Sequence, residues 1–576
     1  MKKLKFLSAL VMSIMMLLTL CIPAFAADPT YTITILPNSA DKASHTYEAY
    51  QIFKGDLDEG TLSNIVWGSG LDASKTVGEK TIYQALAALD AVFTDADTAE
   101  EIADSLSSAE LDAGKIPEIA KIFGAYLTDV HIDSSKSGSN VSINDLPVGY
   151  YLIKDADAPL DNDDAAYTSY LLRLTKNISV SVKSSIPSMD KNIITADDTA
   201  SKAADYSIGD DVPFQLTATI PDMANYNSYY FVFSDTMSEG LTFNNDAAIT
   251  IIDADNKVLK TLTKDEDYLV VTDDETNSVR IILTNFVQYN TKDYIGKTVK
   301  VAYTARLNEN AQPGGVPDTK NSAQLIFSNN PNFTYDNDND DEPDPGEPIG
   351  KTPFSETMVY TTGIKVVKVD AENLKRLNGA EFTIEGDGVK DVIRITYGFK
   401  EDTDGTYYML TDGSYTEEAP TPATEDKYDS TTILYKLTKD VASVGDANYI
   451  KGVGSVGDDG IVSFTGLSSG IYTITESKTP YGYNTIGSFK IEITADPSET
   501  ECKWDAKVID DGGMTIDELK EDDTALFTVI VKNSKGTLLP STGGIGTKIF
   551  YIVGSVLVLV AVVLLVTRKR VNAKEK

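Results

Sequence analysis

Tyr31-Thr-Ile-Thr-Ile35 places its larger apolar residues at every second position, and Ile178-Ser-Val-Ser-Val182 and Val299-Lys-Val-Ala-Tyr303 do the same. Successive side chains of a strand point to opposite faces, so each segment reads as a half-buried strand. Ile471-Tyr-Thr-Ile-Thr475 carries the pattern toward the C-terminus. The frequent Tyr, Thr, Val and Ile suit pleated, half-buried surfaces. Two stretches follow a helical period instead: Ile82 to Val92, with Leu86, Leu89 and Val92 in step, and Ile116 to Leu127. The predicted class is mainly β, a series of β-sandwiches with helical insertions near the N-terminus.

Linkers divide the chain. Ser184-Ser-Ile-Pro-Ser188 separates a first unit from a second, and Asp336 to Gly350 reads as a solvated acidic loop. Thr361-Thr-Gly363 opens a third unit, and Gly536-Thr-Leu538 closes it. Both ends carry processing signals. Lys2, Lys3 and Lys5 precede an apolar stretch, Phe6 to Ile22, and then Ala24-Phe25-Ala26, a pattern that predicts export and cleavage before Ala27. Leu20 before Cys21 argues against a lipoprotein signal. At the other end Leu539-Pro540-Ser541-Thr542-Gly543 precedes an apolar run from about Ile549 to Val566 and the basic Arg568-Lys569-Arg570. The run is long enough to approach a membrane span, and the basic tail holds its end on the cytoplasmic side. Together these parts resemble the LPxTG signal of sortase substrates in Gram-positive bacteria. That resemblance implies cleavage between Thr542 and Gly543 and transfer of Thr542 to an amine. The expected units are 1–26 signal peptide, 27–183, 184–360, 361–538, and 539–576 sorting signal with a transmembrane helix.

The full chain carries a net charge of −37. Without the three signal lysines and the net +5 of residues 543–576, the mature chain carries −45. Such a balance opposes nucleic-acid binding, which needs Lys and Arg on phosphates. Cys502 alone remains after processing, so no internal disulfide is available to an exported protein. The two histidines, His45 and His131, lie far apart, and neither HExxH nor GxSxG occurs. Asp336, Asp338, Asp340, Glu342, Asp344 and Glu347 match several EF-hand positions. However, Asp341 stands where the sharp turn requires Gly, and no helices flank the run. Neither a metal nor a cofactor is expected.

Five blocks carry a more specific resemblance: Tyr47-Glu-Ala-Tyr-Gln-Ile-Phe53, Leu146-Pro-Val-Gly-Tyr-Tyr-Leu-Ile153, Phe233-Ser-Asp-Thr-Met-Ser-Glu-Gly-Leu241, Asn321-Ser-Ala-Gln-Leu325 and Leu377-Asn-Gly-Ala-Glu-Phe382. Their order, with both end signals, resembles the three-domain backbone pilins of sortase-assembled pili. The resemblance implies three tandem Ig-like domains, the middle one CnaA-like and the C-terminal one CnaB-like, in a non-enzyme. It also implies two kinds of amide crosslink. One joins identical subunits and is made by sortase. The other is internal and self-catalysed: a Lys amine displaces ammonia from an Asn carboxamide beside an Asp or Glu. Peptidoglycan, accessory pilins and host surface ligands are the further partners implied.

The internal reaction needs a neutral lysine and a protonated carboxyl, and burial favours both. All three groups must therefore face inward. Asp235 shares parity with Phe231 and Phe233, and Asn321 with Ala323, Leu325 and Phe327; Lys191 shares it with Ile193. In the third unit Glu476 follows Tyr472 and Ile474, and Asn533 follows Phe527, Val529 and Val531. Parity leaves the lysine open, because Lys365 lies with Val367 and Val369 while Lys368 lies with Ile364 and Val366. The resemblance selects Lys368, two before Asp370, with Lys365 as the alternative. Both bonds are expected to join the first and last strands of a domain. In the first unit Lys154 stands where a related domain would carry a catalytic Glu, so no internal bond is expected there.

The acceptor between subunits must face outward. Lys183 falls on the polar parity of Ile178-Ser-Val-Ser-Val-Lys183, a segment that resembles the family's pilin motif without its Tyr-Pro. A monomeric wall-anchored adhesin would share everything except polymerisation through Lys183. A wall-anchored enzyme would need a cleft with converging catalytic groups.

Overall fold

The computed structural model describes residues 29–36, 44–137, 140–156, 166–181, 186–224, 226–314, 319–331, 348–512, 519–521, 525–536 and 545–572. The strands that position the sites are β1 (Thr30–Leu36), β2 (Tyr47–Asp58), β3 (Gly149–Asp155), β4 (Ile178–Ser181), β5 (Met189–Ile194), β6 (Asp211–Thr219) and β7 (Phe231–Met237). They continue with β8 (Thr298–Leu307), β9 (Lys320–Ser328), β10 (Ser355–Tyr360), β11 (Thr362–Asp370), β12 (Ile461–Leu467), β13 (Gly470–Lys478) and β14 (Leu526–Asn533). The helices are α1 (Ile82–Leu89), α2 (Ala99–Leu106), α3 (Ile116–Ala125) and α4 (Ile545–Asn572).

The first part of the chain stacks three layers. A four-stranded sheet holds β1 between β4 and the strand Asn140–Pro147. A five-stranded sheet built on β2 and β3 lies against it. Alternation along β3 sends Tyr151 and Ile153 into the core between the sheets and Leu152 into a second core under the helices. That second core collects Ile82, Leu86, Ile102, Ile119 and Phe123. The predicted helices are therefore present, ending at Leu89 and Ala125 rather than at Val92 and Leu127. The apolar period does not mark α2. Its signal is a capping box, in which Thr98 and Glu101 satisfy each other's backbone N–H groups.

Two seven-stranded sheets follow. One runs from β5 through β6 to β8; the other sets β9 between β10 and β7. Their shared core includes Phe214, Phe231, Phe233, Leu325 and Phe327. Beyond β10, a six-stranded sheet containing β12, β11 and β14 packs on a five-stranded sheet containing β13. β11 and β14 are parallel neighbours, with Lys368 opposite Val531 and Asp370 opposite Asn533.

Two sequence expectations change. The sequence predicts a loop over the whole acidic run from Asp336 to Gly350. Residues 336–347 lie outside the described residues, but Ile349 and Gly350 belong to a strand paired with β9. Gly350 lies over the Phe327 ring so closely that an added Cβ would come within 2.5 Å of it. In addition, β9 is not the last strand of its sandwich. The strand Ile349–Lys351 and β10 follow it in the same sheet, drawn back by pairing with both halves of β9.

The passage into the third sandwich is tight. Only Thr361 separates β10 from β11, and it is buried. Ile208 N–H donates to the Gly466 carbonyl at 3.0 Å, and Ser469 N–H donates to Asp205 at 2.6 Å. Arg306 pairs with Asp391 at 2.6 Å across the same junction. At the C-terminus the segment Phe550–Lys569 of α4 is apolar, with mean hydropathy 2.8, and none of it is buried. Its 20 residues suit a hydrocarbon core of about 30 Å.

Candidate crosslinking sites and the C-terminal anchor

In the middle sandwich the three predicted residues come from both sheets. Lys191 on β5 reaches across the core to Asp235 on β7, donating from Nζ to Oδ2 at 2.6 Å. It also donates to the Tyr303 hydroxyl at 2.7 Å. Asn321 on β9 donates from Nδ2 to the same hydroxyl at 2.9 Å. Tyr303 in turn donates to Asp235 Oδ2 at 2.5 Å. Lys191 and Asn321 are 0% exposed and Asp235 1%. Burial lowers the Lys191 amine to about 8, against the opposing pull of Asp235. The same burial, with Asp235 beside it, raises the Tyr303 phenol well above its ordinary value. Asp235 Oδ1 and Asn321 Oδ1 have no hydrogen-bond partner among the described residues.

In the sequence Tyr303 reads as an inward residue of a strand and not as a site residue. Its inward parity with Val299 and Val301 was the available signal.

In the third sandwich the geometry differs. Lys368 and Asn533 sit on adjacent parallel strands of one sheet, and Glu476 on β13 faces them from the other. Lys368 Nζ donates to Asn533 Oδ1 at 2.5 Å and to the Val531 carbonyl at 3.1 Å. Asn533 Nδ2 donates to Glu476 Oε1 at 2.9 Å and to Oε2 at 3.1 Å. Thr479 Oγ1 and Ile486 N–H donate to Glu476 Oε2 as well. Burial again lowers the lysine amine to about 8. Lys365, the alternative, is only half-buried and points to the other face of β11. Beside this cluster Asp370 pairs with Lys535 at 2.9 Å and accepts from the Tyr483 hydroxyl at 2.8 Å. Those contacts hold its carboxyl far below the usual range.

Elsewhere the placement is simpler. Lys154 is half-buried, 3.8 Å from Glu48. On β4, Ile178 and Val180 are half-buried while Ser179 and Ser181 are exposed. Lys183, two positions beyond Ser181, lies outside the described residues, as do residues 1–26 and Leu539, Pro540, Ser541, Thr542 and Gly543. Glu48, His131 and Asp133 cluster at the surface of the first unit, with His131 Nε2 3.3 Å from Asp133.

The sandwiches are followed by one exposed apolar helix of a length that can cross a membrane. Three family models match the chain. Residues 208–338 match the Gram-positive pilin backbone subunit 2, Cna-B-like domain; residues 432–508 match a prealbumin-like fold domain; residues 531–573 match the LPXTG cell wall anchor motif. The chain is a sortase-assembled backbone pilin, a structural subunit of the shaft of a cell-wall-anchored surface pilus. It is 28% identical over 412 residues to the trypsin-resistant surface T6 protein of Streptococcus pyogenes serotype M6, covering 67% of this chain and 70% of that one. Among solved structures it is similar to the T6 backbone pilin of that organism, at 17% identity and TM-score 0.48, over 89% of this chain and 100% of that one. The major pilin SpaD from Corynebacterium diphtheriae is similar at 16% identity and TM-score 0.41, over 89% and 98%.

The middle cluster predicts a stability effect that is separable from any crosslink. In an Asn321→Ala background, Asp235→Ala leaves Lys191 Nζ buried with the Tyr303 hydroxyl. Breaking a buried pair in this way costs about 3–5 kcal/mol. Denaturant unfolding of the two variants should differ by that amount; equal midpoints would contradict it.

Proposed function

We propose that sortase joins Thr542 of one subunit to Lys183 of the next, and that Lys191–Asn321 and Lys368–Asn533 amide bonds brace each subunit. In this reading the working units are residues 27–183, 184–360 and 361–538, flanked by the signal peptide 1–26 and the sorting signal 539–576. Partners beyond identical subunits, sortase and peptidoglycan are accessory pilins and host surface ligands. The observation that carries the internal bonds is the Lys368–Asn533–Glu476 contact, with amine, amide and carboxyl all buried and hydrogen-bonded in series.

The chemistry follows from the burial. An ammonium and a carboxylate held in a dry core can exchange one proton and become an amine and a carboxylic acid. The neutral Nζ then attacks Cγ of the asparagine. The acid, Asp235 or Glu476, lends its proton to the amide and recovers one as the intermediate collapses, while one amine proton passes to the departing nitrogen and ammonia leaves. The productive state therefore holds one proton shared between amine and carboxyl.

That sharing fixes the sign of the pH dependence. Above about 8 the buried lysine gives up its proton, and the site then holds none to lend to the amide. The rate of internal bond formation should hold up to about pH 8 and fall about tenfold per unit beyond it. Freshly synthesised, denatured chain refolded across a pH series and peptide-mapped against time checks this; a rate that climbs above pH 8 contradicts it.

Polymerisation has its own test. Cells making the wild-type chain should show a ladder of high-mass species on denaturing gels. Lys183→Ala should collapse it to the monomer. A ladder that survives the substitution removes Lys183 as acceptor, and a wild type without a ladder favours a monomeric wall-anchored adhesin.

A further inference from the structure

The middle and third clusters differ in one chemical respect. In the third, the asparagine and the lysine meet directly, and the asparagine amide nitrogen is bonded to the glutamate. In the middle, a fourth side chain stands between the reactive groups. The Tyr303 hydroxyl accepts from Lys191 Nζ at 2.7 Å and from Asn321 Nδ2 at 2.9 Å, and donates to Asp235 Oδ2 at 2.5 Å. A phenol has one donor and two lone pairs, and all three are used here. The ring is held on two sides. Phe214 stacks on it at 5.4 Å between centroids, and Phe243 meets it edge-on at 5.5 Å.

Amide exchange requires one proton to leave the attacking nitrogen and one to reach the departing nitrogen. Those two atoms are the two donors to the Tyr303 oxygen. We propose that Tyr303 is a catalytic residue of the middle sandwich, carrying the proton from Lys191 Nζ to Asn321 Nδ2 as the bond forms. This rests on the proposed Lys191–Asn321 bond.

The step balances. Neutral Lys191 Nζ, with two hydrogens, bonds to Cγ of Asn321, and Asp235 protonates Oδ1. Nζ then passes one proton to the Tyr303 oxygen while the phenol O–H turns from Asp235 Oδ2 to Nδ2 and gives up its own proton there. The Cγ–Nδ2 bond breaks, ammonia leaves with three hydrogens, and Asp235 recovers its proton from Oδ1. Nζ keeps one hydrogen as the new amide, and Tyr303 ends as it began. Asp235 thus serves the carbonyl oxygen and Tyr303 serves the two nitrogens. In the third sandwich Glu476 contacts Asn533 Nδ2 directly, so no intermediary is needed there.

Tyr303→Phe in the full chain tests this. The ring and its Phe214 stack are retained and only the hydroxyl is lost. Pulse-labelled chains, sampled over time and peptide-mapped, report both bonds in the same molecule. Lys191–Asn321 formation should slow by roughly 100-fold, a typical effect of losing a positioned proton carrier. Lys368–Asn533 should form at the wild-type rate. Hydrogen exchange of β5 and β8 amides, compared with Asn321→Ala as another uncrosslinked chain, should show equal protection. An unchanged rate for the middle bond overturns the assignment. So does lost protection together with a lost bond, which would make Tyr303 structural only. If the wild type itself lacks the middle bond, the underlying crosslink reading fails instead.

Discussion

Each of the two large sandwiches closes its core around a lysine, a carboxyl and an asparagine that water does not reach. Taking an ammonium and a carboxylate out of water costs several kcal/mol each, and their attraction offsets that only with good geometry. Such a group is an awkward filling for a core built from Phe, Ile and Val. The same burial lowers both lysines to about 8 and brings an uncharged amine within reach. Conversion to a neutral amide would remove the charge from the core altogether. The feature that burdens the unreacted core would then be the one that holds it.

The two sites place such a bond differently in the path of an applied force. In the third sandwich Lys368 and Asn533 lie 165 residues apart on parallel neighbouring strands. Tension entering at the C-terminal end of β14 would pass through the side chains to β11 and leave at Thr362, bypassing nearly the whole unit. In the middle sandwich the bond would run between sheets, from β5 to β9, with residues 322–360 still to follow. That segment is held by strand pairing, by Gly350 packed over Phe327, and by β10 lying parallel to Ala203–Asp205. A crosslink also restricts the unfolded chain, by about 5 kcal/mol for loops of this length in the chain-entropy relation. Such bonds would suit a wall-anchored chain whose two cysteines, Cys21 and Cys502, lie at opposite ends of the sequence.

Much of this was legible from alternation and end signals. Period-2 segments located strands because burial on one face enforces the pattern, and inward parity marked Asp235, Asn321, Glu476 and Asn533. Parity could not separate Lys365 from Lys368, since β11 is covered on both faces and both parities read apolar. Tyr303 escaped because a tyrosine at an apolar position reads as core; only the fold shows that its hydroxyl meets three polar groups from other strands. The continuation of the sheet beyond β9 was hidden by an acidic run that reads as solvent-exposed, and α2 by a helix too short for its period to stand out against its cap.

Covalent bracing depends on whether the buried trios have reacted. Intact-mass measurement of the purified chain, followed by peptide mapping, reads this directly. Each bond releases one ammonia, so the chain should be lighter than its sequence by about 34 Da, with the Lys191–Asn321 and Lys368–Asn533 peptides joined. A mass equal to that of the unmodified sequence would contradict the account, leaving two buried ion clusters and no covalent brace.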